Sequence, residues 1–305
     1  MARIITRAGL GVLGLLIAVA VIANISTAAA KFFGLGVAIV GLFIFFGLIE
    51  HFFPAIKREK RRRKGVVTDV IWFFVDPTVS KGVTTAAIVV VVLIIASIAG
   101  VHLDKDSINT FARRDTLISS QPALLQGVEV FVALDLIAYW SHRMFHRRAL
   151  LWRYHSVHHS STEVDWLSSV RVHPLNEAGT RVVQAIPLVL LGYNPTVIAG
   201  FVPLLTLYAI YLHANVPWSY GPLRYVIASP VFHRWHHTTE LEGIDKDFAG
   251  MFPWMDAIFG TLYLPKDRQP MTFGILNEAV PDTFWGQLTY PFRRRPAAEE
   301  AIKAA

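Results

Sequence analysis

Long apolar runs separated by short polar breaks set the pattern of this chain. Leu10–Ala30, Phe33–Phe53, Thr84–Val101 and Pro122–Trp140 each approach the roughly 20 apolar residues that cross a bilayer core. The third run is rich in Val and Ile, a strand-like composition in water. Its unbroken apolarity predicts a membrane helix instead. The fourth opens on Pro122, which suits a first helical turn. A longer stretch, Val182–Leu212, is interrupted by Gly192-Tyr193-Asn194-Pro195 and reads as a helical hairpin. The first run, preceded by Arg3 and Arg7 and closed by Ala28-Ala29-Ala30, imitates a secretory leader. It exceeds the usual h-region of about 7–15 residues and is read as a retained helix. The pattern predicts an all-α integral membrane protein with about four transmembrane helices plus a hairpin.

Composition agrees with a membrane class. The chain is 53% hydrophobic and 17% charged, against about 25% charged in soluble domains. Its formal net charge is +7, and much of the excess lies in the run Lys57–Lys64. Beside membrane spans such a block anchors the cytoplasmic surface, so nucleic acid is not an expected partner. The same bias orients the chain: Arg3, Arg7 and the basic run face the cytoplasm, two further crossings put Ser141–Thr180 on that side, and the hairpin dips in and returns, leaving the chain after His213 there too. The expected location is therefore multi-pass, in a bacterial inner membrane. No cysteine is present, which excludes disulfides, thiolate metal sites and cysteine nucleophiles.

Histidine carries the chemistry. Three clusters stand out: His142-Arg-Met-Phe-His146, His155-Ser-Val-His158-His159 and His233-Arg-Trp-His236-His237. Residues three and four apart share a helical face, so each cluster is expected to aim its imidazoles at one point. Imidazole suits iron, zinc, copper and nickel. Packing alone would leave many buried polar rings in need of partners. One metal needs four to six ligands, so eight clustered histidines imply two metals. His173, in Arg171-Val-His173-Pro174, and His213, in Leu212-His213-Ala-Asn215, are weaker candidates taken alone. Ligating rings donate their second N–H to a carboxylate or carbonyl. Asp135, seven residues before His142, is a candidate partner, with Glu163, Asp165 and Glu177 behind it. Arg143, Arg147, Arg148 and Arg171 are expected to anchor at the interface.

The ordered string Asp135-x3-Tyr139-Trp140-x-His142-Arg143-x2-His146, Trp152-x2-His155-x2-His158-His159-Ser160, Arg171-x-His173-Pro174, His213 and His233-x2-His236-His237 resembles the fatty acid hydroxylase/sterol desaturase superfamily. Asp245-Lys-Asp247-Phe-Ala-Gly250 and Ile258-Phe-Gly-Thr261 resemble its closing motif. The resemblance covers roughly residues 125–265. Within the superfamily the chain looks most like bacterial sterol-desaturase-like proteins and alkylglycerol monooxygenase. It implies a helical membrane fold with a cytosolic cap holding a di-iron centre, and raises His173 and His213 to ligands, ten in all. The implied activity is O2-dependent hydroxylation or desaturation of a membrane lipid, such as a sterol or terpenoid, a fatty acyl chain or an alkylglycerol. No haem, flavin or iron–sulfur motif is present, so a separate electron-transfer protein or a reduced pterin is the expected donor. This chain departs from the family in carrying Asp247 where Asn is usual, and Met255 rather than Trp before Asp256. Asp247 is therefore a second candidate for supporting a ligand. On this reading residues 1–121 are transmembrane helices and loops, 122–270 the catalytic region and 271–305 a tail. The rival reading is a membrane metal-binding or metal-transport protein without oxygenase activity. It would need ionisable residues along several spans, and the first three carry almost none.

Overall fold

The computed structural model describes residues 30–57, 63–276 and 279–293, and is helical throughout them, with one isolated bridge between Thr238 and Phe273 in place of any strand. The chain divides into a unit ending at Leu48 and one running from Ile49 onward. Among the described residues four helices are long and apolar enough to span a membrane: Ala30–Phe52 (α1), Val66–Ile98, Ala123–Arg147 (α5) and Pro195–Leu212 (α8). The expected span at Leu10–Ala30 lies outside the described residues. The second helix starts well before the expected Thr84. Its parts α2 (Val66–Val75) and α3 (Lys81–Ile98) are joined by a π-helical turn at Asp76–Ser80. Pro77 lies within that turn, where its ring cannot donate to the regular ladder.

The hairpin forms as the Gly-Tyr-Asn-Pro break predicts. It consists of α7 (Pro174–Leu191) and α8, with Gly192 in the left-handed conformation that closes α7. Asn194 caps α8 by accepting from the Thr196 N–H. α5 packs on α7 and α8, and α3 lies along α7. Close approach of α5 and α8 depends on Gly127, where a Cβ would sit 2.2 Å from Phe201 Cζ.

The remaining helices form the cap: α6 (Ala149–His159), α9 (Pro230–His236), α10 (Trp254–Ile258) and α11 (Phe284–Thr289); α4 (Lys105–Ala112) lies in the loop after α3. A single residue, Arg148, separates α5 from α6, so the first two histidine clusters meet across a sharp turn. Tyr139, Leu212, Phe232, Phe248, Ala249 and Met255 form one buried core under the cap.

Part of the basic run is not a surface anchor. Arg63 lies 2.6 Å from Asp69 and 2.6 Å from Asp165, and Arg171 Nε lies 2.6 Å from Asp69. All four side chains are at most 8% exposed. Arg171 was expected at the interface. It is buried instead because Asp69 on α2 supplies its counter-charge, and a paired guanidinium tolerates burial.

Candidate metal centre

Nine histidines converge in two adjoining groups. His142, His146, His155, His159 and His236 form one, and His158, His213, His233 and His237 the other. The ligating atoms of each group lie within 4.8 Å of one another. The groups are neighbours, since His159 stacks on His237 with ring centroids 4.3 Å apart.

Each H-x-x-H-H cluster divides between the groups rather than aiming at one point. His155 and His159 join the first group and His158 the second, whereas His233 and His237 join the second and His236 the first. The reason is helical geometry. Positions i and i+4 differ by about 40° around the axis, but i+3 and i+4 differ by about 100°. One helical turn therefore feeds two centres, and two such turns interleave.

The hydrogen bonds fix the tautomers. His142 Nδ1 donates to the Phe248 carbonyl at 2.9 Å, and His236 Nδ1 to the Lys246 carbonyl at 2.8 Å. His158 Nδ1 donates to the Arg171 carbonyl at 3.2 Å, and His213 Nδ1 to the Ala209 carbonyl at 2.8 Å. His155 Nδ1 meets Asn176 Oδ1 at 3.1 Å, and His146 Nδ1 meets Asp245 Oδ1 at 3.1 Å. A carbonyl only accepts, so each of these rings carries its proton on Nδ1 and presents a bare lone pair at Nε2.

The Nε2 atoms of these rings and of His159, His233 and His237 face each other. Nε2 atoms approach at 2.9 Å between His142 and His155, 3.2 Å between His155 and His159, and 3.1 Å between His159 and His236. In the other group the separations are 3.3 Å for His158 and His213, 3.1 Å for His213 and His233, and 3.1 Å for His233 and His237. In the His142–His155 and His158–His213 pairs both tautomers are set; two acceptors cannot hydrogen-bond, so these pairs repel unless a cation lies between them. Imidazole nitrogens about 2.0–2.1 Å from one ion, at angles of 90–109°, would stand about 2.9–3.4 Å apart. The observed spacings fall in that range. The donor set fits two borderline transition-metal ions.

Electrostatics point the same way. Burial holds His155, His158, His159, His233, His236 and His237 well below the usual histidine pKa. It lowers His213 to about 4. Neighbouring rings add to this depression, since each would repel a proton on the next. The rings are thus neutral and available as ligands at neutral pH.

His173 is not brought to either group. It caps α7, with Nδ1 accepting from the Leu175 N–H at 3.2 Å and Nε2 donating to the Leu288 carbonyl at 3.1 Å. Both ring nitrogens serve the backbone. The carbonyl of Arg171, two residues before it, supports His158 instead.

Asp135 takes a different part from the one expected. Its carboxylate accepts from the backbone N–H groups of Gly250, Met251 and Phe252 at 2.7, 3.0 and 2.8 Å, tying α5 to the closing motif. Asp247 also acts at one remove. Its Oδ1 accepts from the Tyr263 N–H at 2.8 Å, and its flanking carbonyls, Lys246 and Phe248, are the ones that orient His236 and His142. Asp245 and Asp247 both have left-handed backbone, at φ 55° and 58°, and this twist turns the two carbonyls inward. Asp and Asn are the non-glycine residues that tolerate that conformation. Burial raises the Asp247 pKa well above the carboxylate range, and Asp256 adds to the effect. The side chain is therefore held toward its neutral form, a near isostere of asparagine.

Asp256 is the residue the sequence reading passed over. Its two oxygens accept from the Phe248 and Ala249 N–H groups at 2.8 and 2.9 Å. Thr261 Oγ1 donates to it at 2.6 Å, Tyr139 OH lies 2.8 Å from Thr261 Oγ1, and Arg143 Nη1 donates to Tyr139 OH at 3.0 Å. This chain of bonds links the first and last motifs and fixes the loop that orients His142. Of the other acidic candidates, Glu177 pairs with Arg181 at 2.7 Å and Asp165 with Arg63.

Residues 127–261 match the model for the fatty acid hydroxylase family. That segment is less than half of the chain, and over it the chain is similar to the fatty acid hydroxylase family. It is 30% identical over 184 residues to ornithine lipid hydroxylase OlsE of Rhizobium tropici, covering 58% of this chain and 54% of that protein. It is 34% identical over 147 residues to human (Homo sapiens) alkylglycerol monooxygenase, covering 48% and 32%. A very-long-chain aldehyde decarbonylase of Oryza sativa subsp. indica is 31% identical over 150 residues, covering 44% and 23%. The chain thus spans about half, or less, of the length of these curated relatives. No solved structure matches. The matched family segment runs from Gly127 at the α5–α8 contact to Thr261, so it holds all nine converging histidines and the Asp256 network.

Proposed function

We propose that the protein is an O2-dependent di-iron oxidoreductase that hydroxylates or desaturates a membrane lipid. The observation that carries this reading is the facing of buried Nε2 lone pairs at 2.9–3.3 Å in two adjoining groups. The names of the relatives, a lipid hydroxylase and a monooxygenase among them, support the reaction class. His142, His146, His155, His159 and His236 would hold one ion, and His158, His213, His233 and His237 the other. Iron bound there supplies redox activation of O2, which acid–base side chains cannot provide. His173 is proposed as a helix cap rather than a tenth ligand, and Asp135 and Asp247 as residues that shape the loop behind the ligands.

The protein's own groups do the rest. Carbonyls of Ala209, Arg171, Lys246 and Phe248 keep each proton on Nδ1. The apolar core of Tyr139, Phe232 and Phe248 keeps water from the rings. The catalytic region is taken as 122–270, facing the cytoplasm of a bacterial inner membrane, and a separate electron donor is required. Three measurements test the reading. Metal analysis after iron-replete expression should give two ions per chain, and one or none would refute the di-metal site. With a competent reductant, O2 uptake should require an added lipid. Cysteine placed at Ser160 in intact cells should resist an impermeant thiol reagent, while one at Asp106 reacts. The reverse pattern would invert the topology.

A further inference from the structure

A cavity of about 190 Å3 lies among α5, α7, α8 and the turn at Gly250–Met251. Apolar side chains dominate its wall, with Phe131, Leu134 and Ala138 on α5 and Leu205 and Leu212 on α8. His213 and His233, both of the four-histidine group, also line it. Its volume is below the roughly 300 Å3 at which pockets for compact drug-sized ligands begin. The enclosed space suits one stretch of alkyl chain better than a fused ring system.

Arg181 and Gln184 on α7 supply a polar station in the same wall. Their acceptors are already engaged. Arg181 Nε donates to Glu177 Oε1 at 2.7 Å, Arg181 Nη1 donates to Gln184 Oε1 at 3.0 Å, and Gln184 Nε2 donates to the Leu134 carbonyl at 3.1 Å. A guanidinium has five N–H donors and an amide two, so several donors remain and the acceptors do not. The charge is balanced as well. Glu177 neutralises Arg181, and Asp76 acts on it from the π-turn of the second span. An added anion would meet two carboxylates. An uncharged acceptor meets the free donors without that repulsion, and the Asp135 carboxylate that also lines the cavity is held by the Gly250, Met251 and Phe252 N–H groups. Leu134 lies about two turns of α5 before His142, so the station and the histidines are separated by a short length of chain.

We propose that this cavity is the acyl-chain site of the enzyme, that Arg181 and Gln184 bind the uncharged carbonyl of an ester- or amide-linked acyl lipid, and that the chain beyond it is presented to the four-histidine group. This rests on the lipid-oxidation reading above and selects acyl lipids over sterols and alkyl ethers. The test uses the full chain, iron-loaded, in phosphatidylcholine nanodiscs. Three probes carry the same diazirine-bearing alkyl chain, joined to glycerol through an ester, an amide or an ether. Photolabelled peptides are identified by mass spectrometry, a readout of binding that needs no turnover.

The ester and amide probes should label α5 and α8 about tenfold or more above the ether probe, the usual effect of a hydrogen bond to a charged donor. Glu177→Gln with Arg181→Met, which removes both charges together, should erase that advantage, and Arg181→Lys should keep part of it. Leu205→Trp, which fills the cavity and leaves the charged groups in place, should suppress labelling by all three probes. Should the double variant lose its cooperative melt, Leu205→Trp and the wild-type ester-to-ether ratio decide the question. Equal labelling by ester and ether probes, an ester advantage that survives the double variant, or labelling unaffected by Leu205→Trp would each overturn the assignment. Failure of the di-iron reading would register separately, in metal content and O2 uptake.

Discussion

α8 and α9 follow each other in the chain and obey opposite rules. α8 has 18 residues, most of them apolar, yet only Ile210 and Leu212 are buried within the protein. α9 has seven residues, two histidines and an arginine among them, and all seven are buried. For α8 the lipid bilayer is the solvent, so its side chains need no protein partners and tolerate exchange. In α9 polar atoms are taken from water, and His233 Nε2 and both ring nitrogens of His236 meet specific partners. Function sits where the polar burial is.

The sharpest way to break this comparison is to remove ligands. His155→Ala should reduce the first group's metal, and His158→Ala the second's, each lowering content from two ions toward one. Lipid-dependent O2 uptake should fall at least a hundredfold, exceeding the roughly 10–100-fold typical of residues behind the ligands. Metal analysis beside an O2 electrode checks both. Retention of two ions in either variant would show that the groups are not the sites.

Asp256→Asn tests the support behind the ligands. The amide keeps one acceptor and loses the other, so the loop carrying the Phe248 carbonyl should loosen. Metal affinity or activity should drop roughly 10–100-fold, with the melt largely retained. An unchanged metal affinity would leave the Asp256 network a purely structural device.

Acid should separate the cap from the spans. In metal-free protein the cap histidines have folded pKa values below the unfolded value of about 6.5, reaching about 4 for His213. Between those values the unfolded chain binds more protons than the folded one, so stability rises with pH in that window. It is fully present above about pH 6.5 and is lost as pH falls toward 4, by up to about 1.4 kcal/mol per pH unit for each ring. Melting temperatures of chelated protein should therefore be flat from pH 8 to 7 and fall by pH 5. A flat profile down to pH 5 would mean that the rings are not buried as a group.

Smaller effects sharpen the contrast. Asp247→Asn replaces a carboxyl that burial already holds toward neutrality. Because the folded pKa is raised, its penalty grows as pH rises, so the amide should raise the melting temperature by a few degrees at pH 7.5. No gain there would place a compensating charge beside Asp247. Leu207→Ile on the exposed face of α8 should change stability by less than about 0.5 kcal/mol and leave metal content at two. A large loss would show that this face packs against protein.

Much of this molecule was legible in its sequence. The apolar runs gave α1, α5 and the hairpin because hydrocarbon forces backbone groups to bond within a helix, so length and apolarity suffice to predict it. The histidine clusters were legible because spacings of three and four are face relations local to one helix. The second helix was read too short, since its first half carries Asp69 and Asp76 and so breaks the apolar signal. Asp69 pairs with Arg63, six residues before it, and with Arg171, 102 residues after it.

What the sequence could not decide was which partner each polar atom meets. That His158 and His236 leave their neighbours for the opposite group depends on how α6 and α9 face each other. That His173 caps a helix depends on Leu288, more than a hundred residues away. That Asp135 holds a loop, and that Asp256 and Asn176 stand behind the ligands, depends on contacts across the whole catalytic region. Residue type and spacing determine which atoms can ligate, through local helical geometry. Only packing between distant elements determines which of them converge, because a lone pair becomes a ligand by its position relative to other lone pairs.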